Sequence, residues 1–253
     1  MPTTTIGVSL KMYFGHATTL DWIDAVASIA LSHPAIVDGT VELFVIPSYV
    51  AIPASVSRLA GTGVLVGAQD LATADSGAFT GEVSGAELFE VGARVVEVGH
   101  AERRSLFDET DEIVAAKTAA ALRNGLAPVL CIGESTRMSP MDAAAECLRQ
   151  LTAALEGAAS GRVIVAYEPV WAIGAAEPAE PAHIREVCAQ LQTAVALLTD
   201  RDGSVVIYGG SAGPGLLSEL GEDVDGLFLG RFAHDPAALR AVIDEAALRG
   251  AAA

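Results

Sequence analysis

Three residues of this 253-residue chain carry side chains suited to proton transfer, and each follows a short apolar run. The run Ile6–Lys11 ends on a cation, Val95–Gly99 leads into His100, and Val163–Glu168 ends on a carboxylate. A lysine can offset an anion, an imidazole can donate to a carbonyl oxygen, and a carboxylate can take a proton from carbon. Two glycine-rich turns extend the set: Gly209-Gly210-Ser211 after the run Val205–Gly209, and Gly230-Arg231 after the run Gly226–Gly230. Glycine has no Cβ, so backbone N–H groups in such turns can approach an anion closely. A cation, an imidazole, a carboxylate and two glycine-rich turns would together suit proton transfer within a small anionic molecule.

The elements that must position these groups show in the spacing. Further apolar runs lie at Val41–Ile46, Val64–Gln69 and Pro128–Ile132, giving eight candidate strands at intervals of roughly thirty residues. The runs are continuous and rich in β-branched residues, as expected of parallel strands covered on both faces. Helix-compatible stretches separate them at Thr18–Leu31, Asp111–Asn124, Met141–Leu155, Pro181–Leu198 and Pro236–Leu248. Their punctuation agrees: Asn124-Gly125 closes one helix, Ser139-Pro140 opens another, and Asp235-Pro236 supplies an N-cap followed by proline. The pattern predicts an α/β fold, a single (βα)8 barrel. A doubly wound open sheet has the same alternation, but no Gly-x-Gly-x-x-Gly follows the first strand. No break in composition marks a linker, so residues 1–253 read as one domain, with the alanine-rich tail from Ala246 as a helix end. In such a barrel the site lies at the carboxyl ends of the strands, where the lysine, histidine, carboxylate and glycine turns all fall.

Composition narrows the classes. Hydrophobic residues make up 51% of the chain, enough to bury a large core without disulfides or metals. The 32 acidic and 15 basic residues give a net charge of −17, which disfavours nucleic acid and anionic membrane surfaces. Only two lysines exist, Lys11 and Lys117, so any anionic substrate must be held by a few local donors. Cys131, Cys147 and Cys188 have no paired spacing, hence no disulfide framework or zinc motif is expected. Cys131 reads as a packed strand residue and the other two as helix residues; none is assigned a nucleophilic role. The start Met-Pro-Thr-Thr-Thr-Ile lacks the pattern of a secretory signal, and no long uncharged apolar run is present. These features predict a soluble cytoplasmic protein.

Two longer motifs carry a family resemblance: Val98-Gly99-His100-Ala101-Glu102-Arg103-Arg104 and Ala166-Tyr167-Glu168-Pro169-Val170-Trp171-Ala172-Ile173-Gly174. Leu10-Lys11-Met12, Gly67-Ala68-Gln69, Gly77-Ala78-Phe79-Thr80-Gly81-Glu82, Cys131-Ile132-Gly133-Glu134 and Tyr208-Gly209-Gly210-Ser211 support them in the same order. With these motifs the chain resembles the triosephosphate isomerase family along nearly its whole length. The resemblance implies a barrel, usually a homodimer, that isomerises a small phosphorylated sugar without a cofactor or metal. This family is itself the standard worked case of a glutamate base, a neutral histidine and a closing loop. By resemblance Glu168 is the base, His100 the electrophile, Lys11 the cation, and Glu102 a carboxylate near the reacting atoms. A salt bridge accounts for Glu102 equally well. The charged residues after His100 suggest a short helix whose dipole would keep the imidazole neutral. Gly174, Gly210, Ser211 and Gly230 fall where the family binds phosphate, and residues 169–179 where it has a lid. Gln69, Thr80 and Glu82 fall in a segment that resembles the family's loop reaching into a partner subunit; an ordinary surface loop is the alternative.

Three departures bear on the substrate. The family's Asn-Trp-Lys is Ser9-Leu10-Lys11 here, its lid sequence Gly-Thr-Gly-Lys is Gly174-Ala175-Ala176-Glu177, and its Gly-Gly after the eighth strand is Gly230-Arg231. Ser9 leaves space that asparagine would fill. Arg231 could hold a phosphate or point outward to a surface acid. The family most commonly converts dihydroxyacetone phosphate to glyceraldehyde 3-phosphate, and that frequency favours a triose. Some branches instead interconvert L-erythrulose 1-phosphate and D-erythrulose 4-phosphate, and space beside Ser9 suits the added hydroxymethyl group. A noncatalytic barrel is the reading from another class; the retained Lys11, His100 and Glu168 argue against it.

Overall fold

The computed structural model describes residues 3–252. Met1 and Pro2 of the N-terminal reading, and Ala253 of the alanine-rich tail, lie outside the described residues. Eight strands form a closed barrel in sequence order: β1 Thr4–Ser9, β2 Val41–Ile46, β3 Leu65–Ala68, β4 Val95–Val98, β5 Ala127–Ile132, β6 Ile164–Tyr167, β7 Val205–Tyr208 and β8 Gly226–Leu229. Neighbours are parallel, and β1 closes the circle on β8 with Thr5 opposite Gly226. The expected (βα)8 architecture is therefore the observed one.

The connecting helices are α1 His16–Ser32, α2 Pro34–Val37, α3 Ile52–Arg58, α4 Gly85–Glu90, α5 Ala101–Leu106, α6 Asp111–Arg123, α7 Pro140–Leu155, α8 Pro181–Ala196, α9 Leu216–Leu220 and α10 Pro236–Ala252. Five of them match the expected helices to within a few residues at either end. Their caps follow the sequence signals: Ser139 Oγ accepts from the Asp142 N–H, Asp235 Oδ1 from the Ala237 N–H, and Gly125 turns the chain at φ +76°. The alanine-rich tail continues α10 as far as Ala252. Helices α2, α3, α4 and α9 were not expected, because segments this short hold too few turns for a 3.6-residue period to show.

Strand residues alternate between two apolar layers. Phe44, Ile46, Val95, Val129, Ile164, Ile207 and Phe228 fill the barrel interior. Leu43, Val45, Val66, Val96, Leu130 and Val206 face the helices in the larger outer core. Each fully buried Leu, Ile or Val adds roughly 1.5–3 kcal/mol of transfer free energy, so the two layers dominate stability. Gly7 shows how tightly the interior is filled. A Cβ there would lie 2.1 Å from the Phe44 ring, so Gly7→Ala would have to displace that ring.

The strands stop earlier than expected at their carboxyl ends. Lys11, Gln69, Gly99, Glu168, Gly209 and Gly230 were placed inside strands; all six lie just beyond them. Lys11 at φ +48° and Gly99 at φ +73° have left extended geometry. At the other end β1 starts two residues early, on Thr4 and Thr5, which are polar but β-branched and buried.

Candidate active site at the carboxyl end of the barrel

A cavity of about 610 Å³ opens at the carboxyl ends of the strands. Ser9, Lys11, His100, Glu102, Glu168, Gly174, Ser211, Gly230 and Arg231 all line it, so residues spread from β1 to β8 converge on one mouth. Four of the expected site residues do not. Gly210 stands behind the wall, where a Cβ would meet the Tyr208 hydroxyl at 2.5 Å; Gly209 lines the cavity in its place. Thr80 and Glu82 are exposed on the projecting loop after β3. Gln69 at the base of that loop donates from Nε2 to the Lys11 carbonyl at 2.8 Å. Within this subunit Gln69 therefore braces the left-handed turn that presents Lys11.

His100 is set by the start of α5. Gly99 breaks the ladder, and His100 becomes the N-cap, with its Nδ1 accepting from the Glu102 N–H at 3.1 Å. The predicted short helix is thus α5. A backbone N–H facing Nδ1 leaves the neutral ring's proton on Nε2, which points toward Glu168 and Glu97. Burial, and then the Lys11 charge, push the imidazole pKa down to about 4. His100 is therefore a neutral donor across the physiological range.

Glu168 is 5% exposed, with Oε2 3.6 Å from His100 Nε2 and no hydrogen-bond partner for that oxygen among the described residues. Burial, reinforced by the Glu97 charge, pushes its pKa up to about 8. Gly209 makes room for it, since a Cβ there would sit 2.6 Å from Glu168 Oε1. A buried carboxyl held near neutrality and short of one partner is suited to taking and returning a proton. Lys11 Nζ meets Glu102 Oε1 at 2.7 Å. Burial opposes the ammonium charge, but the bond to Glu102 and the nearby carboxylates outweigh it and hold the Lys11 pKa above its ordinary value.

Glu97 is the functional candidate that sequence reasoning passed over. It lies inside β4, is 3% exposed, lines the cavity floor and accepts from Ser9 Oγ at 2.9 Å. Burial pushes its pKa up to about 7, against the Ser9 bond and the Lys11 charge. A carboxylate between the valines of an apolar strand was the available signal, because a charge is seldom buried there without a function.

The segment 169–179, part of which lines the cavity, is tied at both ends. Trp171 Nε1 donates to Glu134 Oε1 at 2.8 Å, and the Ala179 N–H donates to the Tyr208 hydroxyl at 3.1 Å. The Ser211 hydroxyl lies 2.9 Å from the Ala172 carbonyl and 3.0 Å from that of Ala175. Ala175 and Ala176 line the cavity, whereas Glu177 is exposed and brings no charge to it.

Fold and site together define a barrel enzyme built for proton transfer within a small anionic molecule. The triosephosphate isomerase family model matches residues 4–246. An L-erythrulose-1-phosphate isomerase of Pectobacterium atrosepticum is 55% identical, over 96% of this chain and 95% of its own. A triosephosphate isomerase of Mycobacteroides abscessus is 42% identical over 87% of each. The crystal structure of triosephosphate isomerase from Bartonella henselae superposes with a TM-score of 0.80 at 28% identity, covering 95% of this chain and 98% of that one. The chain belongs to the triosephosphate isomerase family and is an intramolecular sugar-phosphate isomerase.

Proposed function

We propose that this enzyme interconverts L-erythrulose 1-phosphate and D-erythrulose 4-phosphate, ahead of the triose phosphates that family frequency favours. Glu168 takes the proton from the hydroxyl-bearing carbon beside the carbonyl, while His100 Nε2–H donates to the carbonyl oxygen. Lys11 offsets the charge of the resulting enediolate. His100 gives its Nε2 proton to the former carbonyl oxygen and takes the hydroxyl proton from the neighbouring oxygen, and return of the carbon proton from Glu168 to the former carbonyl carbon leaves the carbonyl one position along. No atom is gained or lost. Backbone N–H groups of Gly174, Ser211 and Gly230 form the phosphate cradle, and residues 169–179 close over it.

The observation that carries the chemistry is the buried Glu168 carboxyl, one oxygen unpartnered, facing a neutral imidazole donor. Two observations favour the four-carbon substrate. Ser9 is drawn back onto Glu97 at the cavity floor, where a longer side chain would take up space. The erythrulose-phosphate isomerase is also the more similar of the two curated relatives described above, 55% against 42%. The same reading includes a cytoplasmic homodimer, in which the loop bearing half-exposed Phe79 and exposed Thr80 and Glu82 reaches the partner's site. Among the described residues no helix is long and apolar enough to cross a membrane.

Turnover of L-erythrulose 1-phosphate and dihydroxyacetone phosphate by wild type and Ser9→Asn tests the assignment. The expected result is a wild-type kcat/KM at least tenfold higher for the tetrulose, with the ratio moving toward triose by tenfold or more in Ser9→Asn. Preference for triose in the wild type would restore the commoner activity. Turnover of neither would leave a noncatalytic barrel.

A further inference from the structure

The charge of the cavity is unfavourable to a phosphorylated substrate. Its lining sets the carboxyl groups of Glu97, Glu102 and Glu168 against Lys11, in a chain of net charge −17. Lys11 is already bound to Glu102. Arg231 is the other cation in the lining, and among the described residues no carboxylate lies within ion-pair distance of it. It does not point outward to a surface acid. Its Nη2 instead donates to the Gly174 carbonyl of the lid at 3.4 Å.

The segment carrying it is held from behind. Arg231–His234 form a single tight turn after β8, and Trp22 Nε1 donates to the Ala233 carbonyl in that turn at 2.9 Å. The base of the arginine is thus fixed next to Gly230, while its fork spans from the glycine turn to the lid. A guanidinium has more N–H donors than one lid carbonyl consumes, and its planar fork matches phosphate oxygens in pairs.

Granting a phosphorylated substrate, the reading already given, we propose that Arg231 is a side-chain phosphate receptor that couples phosphate to the lid. One edge of the fork takes the anion while the other keeps its bond to Gly174, so an occupied cradle holds the lid down. At this turn Gly230 is joined by a cation, set against the carboxyl groups of the lining.

Calorimetric binding of inorganic phosphate to wild type, Arg231→Met and Arg231→Lys tests this without any sugar. Thermal melts confirm that each variant is folded. Charge-assisted hydrogen bonds of this kind predict phosphate affinity weakened about 10- to 100-fold in Arg231→Met. Arg231→Lys restores part of that loss. Hydrogen exchange over residues 173–179 should slow at saturating phosphate in the wild type and not in Arg231→Met, a readout that simple packing would not move. Unchanged phosphate affinity in Arg231→Met, equal lid protection at saturation, or no phosphate binding by the wild type would each overturn the proposal. Because no arm depends on which sugar turns over, an error in the tetrulose assignment would leave these outcomes unaffected.

Discussion

The chain's two lysines sit in two charge clusters of opposite design. Lys117, on α6, is 6% exposed and meets Asp70 at 2.6 and 2.7 Å and Glu109 at 2.5 Å. Arg103 completes this cluster, 2.9 Å from Asp70 and 2.6 Å from Glu109, so two cations face two anions. Burial still holds the Asp70 pKa above the ordinary carboxylate value, against the pull of Lys117. Lys11 stands among three carboxyl groups, Glu97, Glu102 and Glu168, with a neutral imidazole beside them. Each cluster has one buried carboxyl oxygen without a hydrogen-bond partner among the described residues, Glu109 Oε2 and Glu168 Oε2, but one cluster is balanced in charge and the other is short of cations. The balanced cluster ties together the start of the projecting loop, α5 and α6, and so fixes the helix whose Glu102 N–H sets His100. The unbalanced one places in the cavity two carboxyl groups that retain their protons to higher pH than ordinary carboxyls do. Proximity of charges is thus structural or catalytic according to whether the charges are matched.

Breaking each cluster should therefore give opposite phenotypes. Lys117→Met leaves buried carboxylates short of their partner and should cost about 3–5 kcal/mol in urea unfolding, while folded protein keeps turnover within tenfold. Lys11→Met should leave stability nearly unchanged and lower kcat about 10²–10³-fold, on the scale of one lost oxyanion donor. If the two variants lost activity alike, the division between the clusters would fail.

A smaller effect sharpens the unbalanced side. Glu168 and Glu97, raised to about 8 and about 7, keep their protons in the folded protein well above the pH at which unfolded carboxyls release them. Folding then binds more protons than unfolding, so their contribution to stability is full at low pH and is lost as pH rises toward 8. Urea unfolding at pH 5 and 8.5 should show Glu168→Gln gaining stability relative to wild type at the higher pH. An equal offset at both pH values would mean that the Glu168 pKa is not raised.

The barrel was legible because burial on both faces writes a parallel strand as a continuous apolar run, and eight such runs repeat along the chain. Lys11, His100 and Glu168 were legible because a chemically active residue ending such a run stands out. Residues acting through position rather than type were harder to read. Gln69 belonged to a recognisable loop motif, yet its bond to the Lys11 carbonyl depends on a turn at φ +48° that no pattern announces. Glu97 was hidden inside the run that identified its strand. Gly210 was assigned to the cavity through its motif, but the path of the chain after β7 presents Gly209 instead. Motif spacing gives which residues share a loop, while backbone torsion decides which of them face the substrate.

Conversion of L-erythrulose 1-phosphate in D2O, followed by proton NMR for wild type and Glu168→Gln, tests the central claim most directly. A buried Glu168 acting as the proton carrier predicts loss of the carbon-bound proton signal with deuterium entering the reacting carbon as D-erythrulose 4-phosphate forms. In Glu168→Gln both the exchange and the conversion should fall by about 10²–10⁴-fold. Conversion by the variant at a near-normal rate, or no proton exchange and no product with the wild type, would contradict the account.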